Sequence, residues 1–130
     1  MVKLGHCGGR LIRSELEAEI CEILNDLGVA HAHTPRHFEV HLEDGKVAAY
    51  SPDIVVRGRG REGKTVVFEA IKNHRDPDIP KVAAFRRQYG QEFYVILVGK
   101  EDHLDRVPME SFDEACPRES LQVYLHRMAD

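Results

Sequence analysis

The sequence predicts an α/β domain with a mixed central sheet and helices on both sides, in the order α-β-β-β-α-β followed by a last helix. Three observations carry this. Residues 15–26 repeat apolar side chains at helical spacing. "KTVVFEAIK" (64–72) and "EFYVILVG" (92–99) are apolar in unbroken runs, as strands covered on both faces are. Between these runs lies a second helical pattern. At 130 residues, 42% hydrophobic and 31% charged, the chain reads as one domain, 1–130, able to bury a core of its own.

Taken in order, Ser14 has the chemistry of an N-cap. Leu16, Ile20, Ile23, Leu24 and Leu27 form the inner face of the first helix, and Gly28 ends it. "VAHAHTPRHFEVHL" (29–42) reads as extended with a break near Pro35, and Phe38 and Val40 alternate with polar neighbours. "EDGK" (43–46) is a hairpin turn, and residues 47–56 return as a single strand with Pro52 at an edge or start. "RGRGREG" (57–63) is a wet, glycine-rich turn into the central strand at 64–72. Asp78 caps the second helix, Pro80 fits its first turn, Val82, Phe85 and Tyr89 face inward, and Gly90 stops it. After the strand at 92–99, Met109–Cys116 reads as a short helix before Pro117. Leu121, Tyr124, Leu125 and Met128 fit a final helix, while Leu121, Val123 and Leu125 also fit a strand.

No apolar run approaches the roughly 20 residues that span a bilayer, and "MVKLGHCGGR" lacks the apolar centre of a secretory signal. A cytoplasmic protein without a membrane partner is expected. Three cysteines at wide spacing do not make a disulfide framework. The net charge of −4 is unevenly spread. The first helix carries Glu15, Glu17, Glu19, Glu22 and Asp26, whereas Arg57, Arg59, Arg61 and Lys64, then Lys72, Arg75, Lys81, Arg86 and Arg87, are basic. Such blocks are either solvated faces or a phosphate-binding surface.

Hydrolysing a phosphodiester calls for an activated water and for neutralisation of the charge that develops. Mg²⁺ held by carboxylates, with a lysine beside the water, meets both needs. Acids on adjacent antiparallel strands can converge on one face. Asp53 opens one strand here, and Glu69 and Lys72 lie near the end of the next. On Pro52-Asp53, on Lys72 and on the helix upstream, the sequence resembles the PD-(D/E)XK nuclease superfamily. The order of elements over residues 10–100 is also similar to that family's restriction endonuclease-like core. "RSELEAEICEILNDLGVAHAH" (13–33) resembles the opening of members such as the endonuclease subunits of heteromeric transposases.

The resemblance implies a DNA endonuclease using Mg²⁺, with Mn²⁺ as a substitute. Asp53 would be the central metal ligand, an acid at 69 or 70 the second, and Lys72 the residue orienting water. Glu17 would reach the metal directly or through water, and Gln88 would face the site or the DNA. Arg57, Arg59, Arg61, Arg75 and Lys81 would contact phosphates. Cutting both strands would call for a homodimer or a partner subunit. Glu17 has a second reading, since Ser14-x-x-Glu17 is also a capping box.

The family motif places an acid two residues before the lysine, and that position is Ala70. In a regular strand Ala70 and Lys72 share a face while Glu69 points to the other. Three explanations stand side by side. A β-bulge at 69–71 turns Glu69 to the metal; an acid at 70 has been replaced, disabling the site; or the domain binds DNA as a scaffold without cutting it. An unrelated α/β protein with a chance Pro-Asp and lysine is a further alternative. His31, His33, His37 and His41, with His6 and Cys7, lack the paired spacing of structural zinc sites and read as surface histidines. Cys21 reads as packing, and His74 as a neighbour of the active site.

Overall fold

The computed structural model describes residues 6–7, 10–11, 14–33 and 37–129. The break expected near Pro35 lies outside them, as do the side chains of His6 and Cys7. Two short strands, β1 (His6–Cys7) and β2 (Arg10–Leu11), pair antiparallel ahead of the first helix, α1 (Glu15–Asp26). Ser14 Oγ accepts the Glu17 amide at 3.1 Å, and Gly28 adopts φ +72° after the last turn. The cap and the stop are therefore as the sequence predicts. The Glu17 carboxylate, which a capping box would turn back to the Ser14 amide, bonds His33 through its Oε2 at 2.6 Å.

The main sheet has five strands in the order β3 (Ala32–His33), β6 (Ile54–Val56), β7 (Thr65–Ala70), β8 (Phe93–Gly99), β9 (Glu114–Pro117). β3–β6 and β6–β7 are antiparallel, and β7–β8 and β8–β9 are parallel. The sheet is thus mixed. A separate hairpin, β4 (Phe38–His41) and β5 (Val47–Tyr50), turns through Gly45 at φ +87°. Helix α2 (Ile79–Tyr89) links β7 to β8. α3 (Glu101–Leu104) and a 3₁₀ turn at Met109–Ser111 link β8 to β9, and α4 (Leu121–Ala129) ends the described chain.

Alternation along the strands divides the core between the two faces. Val66, Phe68, Ile96 and Val98 pack with Ile20 and Leu24 of α1 and with Leu121, Leu125 and Met128 of α4. Val67, Val95 and Leu97 pack with Ile79, Val82 and Phe85 of α2 and with Phe38, Val40 and Tyr50 of the hairpin. Phe38 is the hairpin's anchor, with its ring edge-on to Phe85, Tyr89 and Phe93 at 4.9, 5.2 and 5.5 Å between centroids.

Two elements differ from the expected ones. Residues 47–56 are not one strand. Pro52 offers no N–H to a ladder, and the chain bends at 51–53, so β5 stays with β4 while β6 joins the main sheet. The short helix expected over Met109–Cys116 is a 3₁₀ turn followed by strand β9. Asp113 directs this change of course. Its Oδ2 accepts the Val95 amide at 2.7 Å and its Oδ1 accepts Arg86 Nε at 3.0 Å, which delivers the chain to the edge of β8. Cys116 is then buried beside α4. Among the described residues, no helix is long and apolar enough to cross a membrane.

Candidate active-site cavity

The register of β6 against β7 pairs Ile54 with Phe68. Continued one step beyond the last pair of the ladder, this register would set Asp53 opposite Glu69. Asp53 stands at the bend where the ladder ends, and its Oδ2 accepts the Ala70 amide at 2.9 Å. Glu69 is buried, and its Oε1 accepts the Tyr50 hydroxyl at 2.7 Å. Burial, and after it the charge of Glu69, hold that tyrosine well above its ordinary pKa, with Asp53 and Asp78 adding to the effect.

These groups open into a cavity of about 500 Å³. Asp53, Glu69, Ala70 and Lys72 all line it, together with Asp78 from the start of α2 and Lys100 from the end of β8. It lies at the carboxyl ends of the parallel strands β7 and β8, where open α/β sheets commonly bind ligands. β7 keeps an unbroken register with β8 from Thr65 to Ala70, and the Ile71 amide continues to the Val98 carbonyl at 2.9 Å. The bulge at 69–71 that one of the three explanations calls for does not interrupt this pairing. Glu69 and Lys72 meet the same cavity because the strand stops at Ala70. Beyond that point the face rule no longer applies, and the Lys72 amide is held by Asp76 Oδ2 at 3.0 Å.

Asp76 acts as a brace, since its other oxygen accepts the Asp78 amide at 3.0 Å. Asp78 occupies the N-cap position of α2 without a capping bond from its side chain, and its Oδ1 lies 3.9 Å from Lys81 Nζ. Sequence reasoning read Asp78 only as a cap and passed over Lys100 and Tyr50. The Gly-Lys step after an apolar strand was the one local sign of Lys100. Arg118 also lines the cavity, and its guanidinium is paired with Glu19.

The remaining candidates are dispersed. Glu17 is fully buried against His33, its Oε2 2.6 Å from Nδ1, and is not among the described residues lining the cavity. The Gln88 amide group bonds the β4 backbone at both ends, to the His41 amide at 2.6 Å and the Glu39 carbonyl at 3.3 Å. Arg57, Arg59 and Arg61 belong to the β6–β7 turn, at the opposite end of β7 from Asp53. β7, six residues long, spans about 17 Å between these two ends. Arg75 is exposed in the loop after β7, on the cavity side. His74 stacks on His103, with 3.1 Å between their Nδ1 atoms, and partial burial with Arg106, His103 and Arg75 nearby lowers its pKa.

One histidine expectation is overturned. His33 is buried, not on the surface, because alternation on β3 turns it toward α1. Among the described residues, the sole set of three His, Cys, Asp or Glu donors within 4.8 Å of one another is Cys21, His31 and His33. Comparison with protein-family models and with curated proteins found no match.

Proposed function

We propose that the chain is a metal-dependent DNA endonuclease whose site is the cavity between Asp53 and Lys72. The observation that carries this reading is the shared cavity itself. Two carboxylates from facing strands and one lysine, 19 residues apart in sequence, line the same hollow. The donor set fits Mg²⁺, which takes oxygen ligands and keeps several waters, so two carboxylates suffice. Asp53 and Glu69 would hold the ion, and when bound it supplies charge neutralisation at the phosphate and a more acidic water.

The chain's own groups set the geometry. The Ala70 amide and the Tyr50 hydroxyl fix the orientation of the two carboxylates. Lys72, exposed at the rim, orients the attacking water and offers a positive charge to the phosphoryl oxygens. Asp78 also lines the cavity and offers a further carboxylate there. Arg75, Lys81 and Lys100 would meet the backbone of the DNA. A homodimer or partner subunit supplies the second cut.

A second reading is favoured by one observation. At residue 70 the cavity wall is a methyl group where the related motif has an acid. On that reading the domain binds DNA as a scaffold. Duplex, branched and single-stranded DNA incubated with the chain and Mg²⁺ or Mn²⁺ separates the two. The nuclease cuts, loses at least about 100-fold in rate in Asp53→Ala, and gains in Ala70→Glu. Salt-sensitive binding with no cleavage by the parent chain or by Ala70→Glu selects the scaffold. Absence of DNA affinity overturns both.

A further inference from the structure

Beneath α1, on the face of the sheet remote from α2, a second group of side chains has no place in the cavity chemistry. Cys21 is buried on the inner face of α1, and His33 of the edge strand β3 and His31 just before it flank it. His31 Nδ1 lies 3.0 Å from the Val29 carbonyl, which only accepts, so Nδ1 carries the proton and Nε2 presents a lone pair. That Nε2 lies 3.4 Å from Cys21 Sγ. His33 Nδ1 donates to the Glu17 carboxylate at 2.6 Å, which leaves its Nε2 as the second lone pair. Nε2 of His33 is buried and has no hydrogen-bond partner, a condition that among the described side chains only Ser111 Oγ shares. Buried polar atoms are rarely left so.

We propose that Cys21 Sγ, His31 Nε2 and His33 Nε2 bind a zinc ion, with Glu17 as the carboxylate that orients His33. The donor types are those zinc prefers. In a tetrahedral site with Zn–S about 2.3 Å and Zn–N about 2.05 Å, sulfur and nitrogen stand about 3.5 Å apart, and Sγ and Nε2 of His31 are already at 3.4 Å. Each imidazole has its remote nitrogen held by an acceptor, the arrangement that fixes the tautomer of metal-binding histidines. Asn25 Nδ2, 3.6 Å from Sγ, donates to the sulfur and helps hold its position. Binding releases the Cys21 thiol proton to solvent. The fourth position takes water or another donor. His31 also borders a surface depression of about 530 Å³, which gives the ion a route in.

The role is structural. The ion ties α1 to β3 across the connection that follows Gly28. Ser14 and Leu16 at the start of α1 line the Asp53 cavity, and His33 pairs with Ile54 next to Asp53. The zinc site thus braces two walls of the cavity without entering it, and it stands or falls independently of the nuclease reading.

The experiment uses the full chain, stripped by chelator and titrated with Zn²⁺ and Co²⁺. The expected result is one ion per chain, a higher melting temperature with Zn²⁺, and a Co²⁺ spectrum with thiolate charge transfer and the strong visible bands of a tetrahedral site. Cys21→Ala loses the charge-transfer band. His31→Ala, at a half-buried position, weakens Zn²⁺ at least 100-fold, and Glu17→Gln weakens it about 10- to 100-fold. If Cys21→Ala fails to fold, a chain carrying Cys7→Ala and Cys116→Ala keeps the band. The proposal is overturned if the stripped parent chain takes up no stoichiometric Zn²⁺. It is equally overturned if the charge-transfer band is missing, or if affinity is unchanged in both Cys21→Ala and His31→Ala.

Discussion

Tyr50 shows how one hydroxyl holds a buried acid in place. Its O–H donates to Glu69 inside the α2 face of the core, and hydrogen bonds to charged groups contribute about 1.5–3 kcal/mol. Tyr50→Phe should lower the unfolding free energy by about that amount, read from urea denaturation. Tyr94 makes a comparable bond to Glu114 at 2.7 Å, and burial first, then this bond, pushes its pKa to about 12. An unfolded tyrosine titrates near 10. The folded state therefore resists an ionisation that the unfolded chain accepts. The stability this contributes is intact below pH 10 and is lost as pH rises toward about 12. Denaturation midpoints across that window should fall less steeply in Tyr94→Phe than in the parent chain. Asp53 and Lys72 were legible in the sequence because the flanking apolar runs fixed their place at strand ends. Tyr50, Asp78, Lys100 and His33 were not, since which wall a side chain joins depends on partners distant in sequence.

At the scale of elements, α1, β7, α2 and β8 were legible because each has a strong periodic or continuous apolar pattern. β9 was not. In "SFDEACPR" only Cys116 is buried within the strand, and the turn into it depends on Asp113 reaching Arg86 and the Val95 amide. The break at Pro52 was visible as a residue but not as a parting of two sheets. The ends of β7 and β8 fit closely. A Cβ on Gly99 would stand 2.8 Å from Ile71 Cγ1. Gly99→Ala should therefore cost about 1–3 kcal/mol in stability. It should also displace Ile71 and its neighbour Lys72, so that any DNA cleavage falls more than stability alone accounts for, as parallel denaturation and rate measurements would reveal.

Among the described residues, two of the basic groups lie at opposite ends of the main sheet. Lys72, Arg75, Lys81 and Lys100 gather near the carboxylate cavity, and the arginines of the β6–β7 turn sit at the far end of the sheet. If the chain acts on DNA as proposed and these arginines meet its backbone, changing Arg57, Arg59 and Arg61 to Ser should weaken binding and reduce its salt slope by about 0.9 for each phosphate no longer neutralised. The cleavage rate on saturating DNA should be unchanged. Lys72→Ala should do the reverse, lowering the rate with little change in salt slope. The lateral borders of the main sheet are β3, of two residues, and β9, of four. Strips this short offer few backbone donors and acceptors to a neighbour, so two copies gain little by zipping their sheets into one. If the proposed nuclease works as a pair of subunits, the pair would have to meet through helical or loop surfaces.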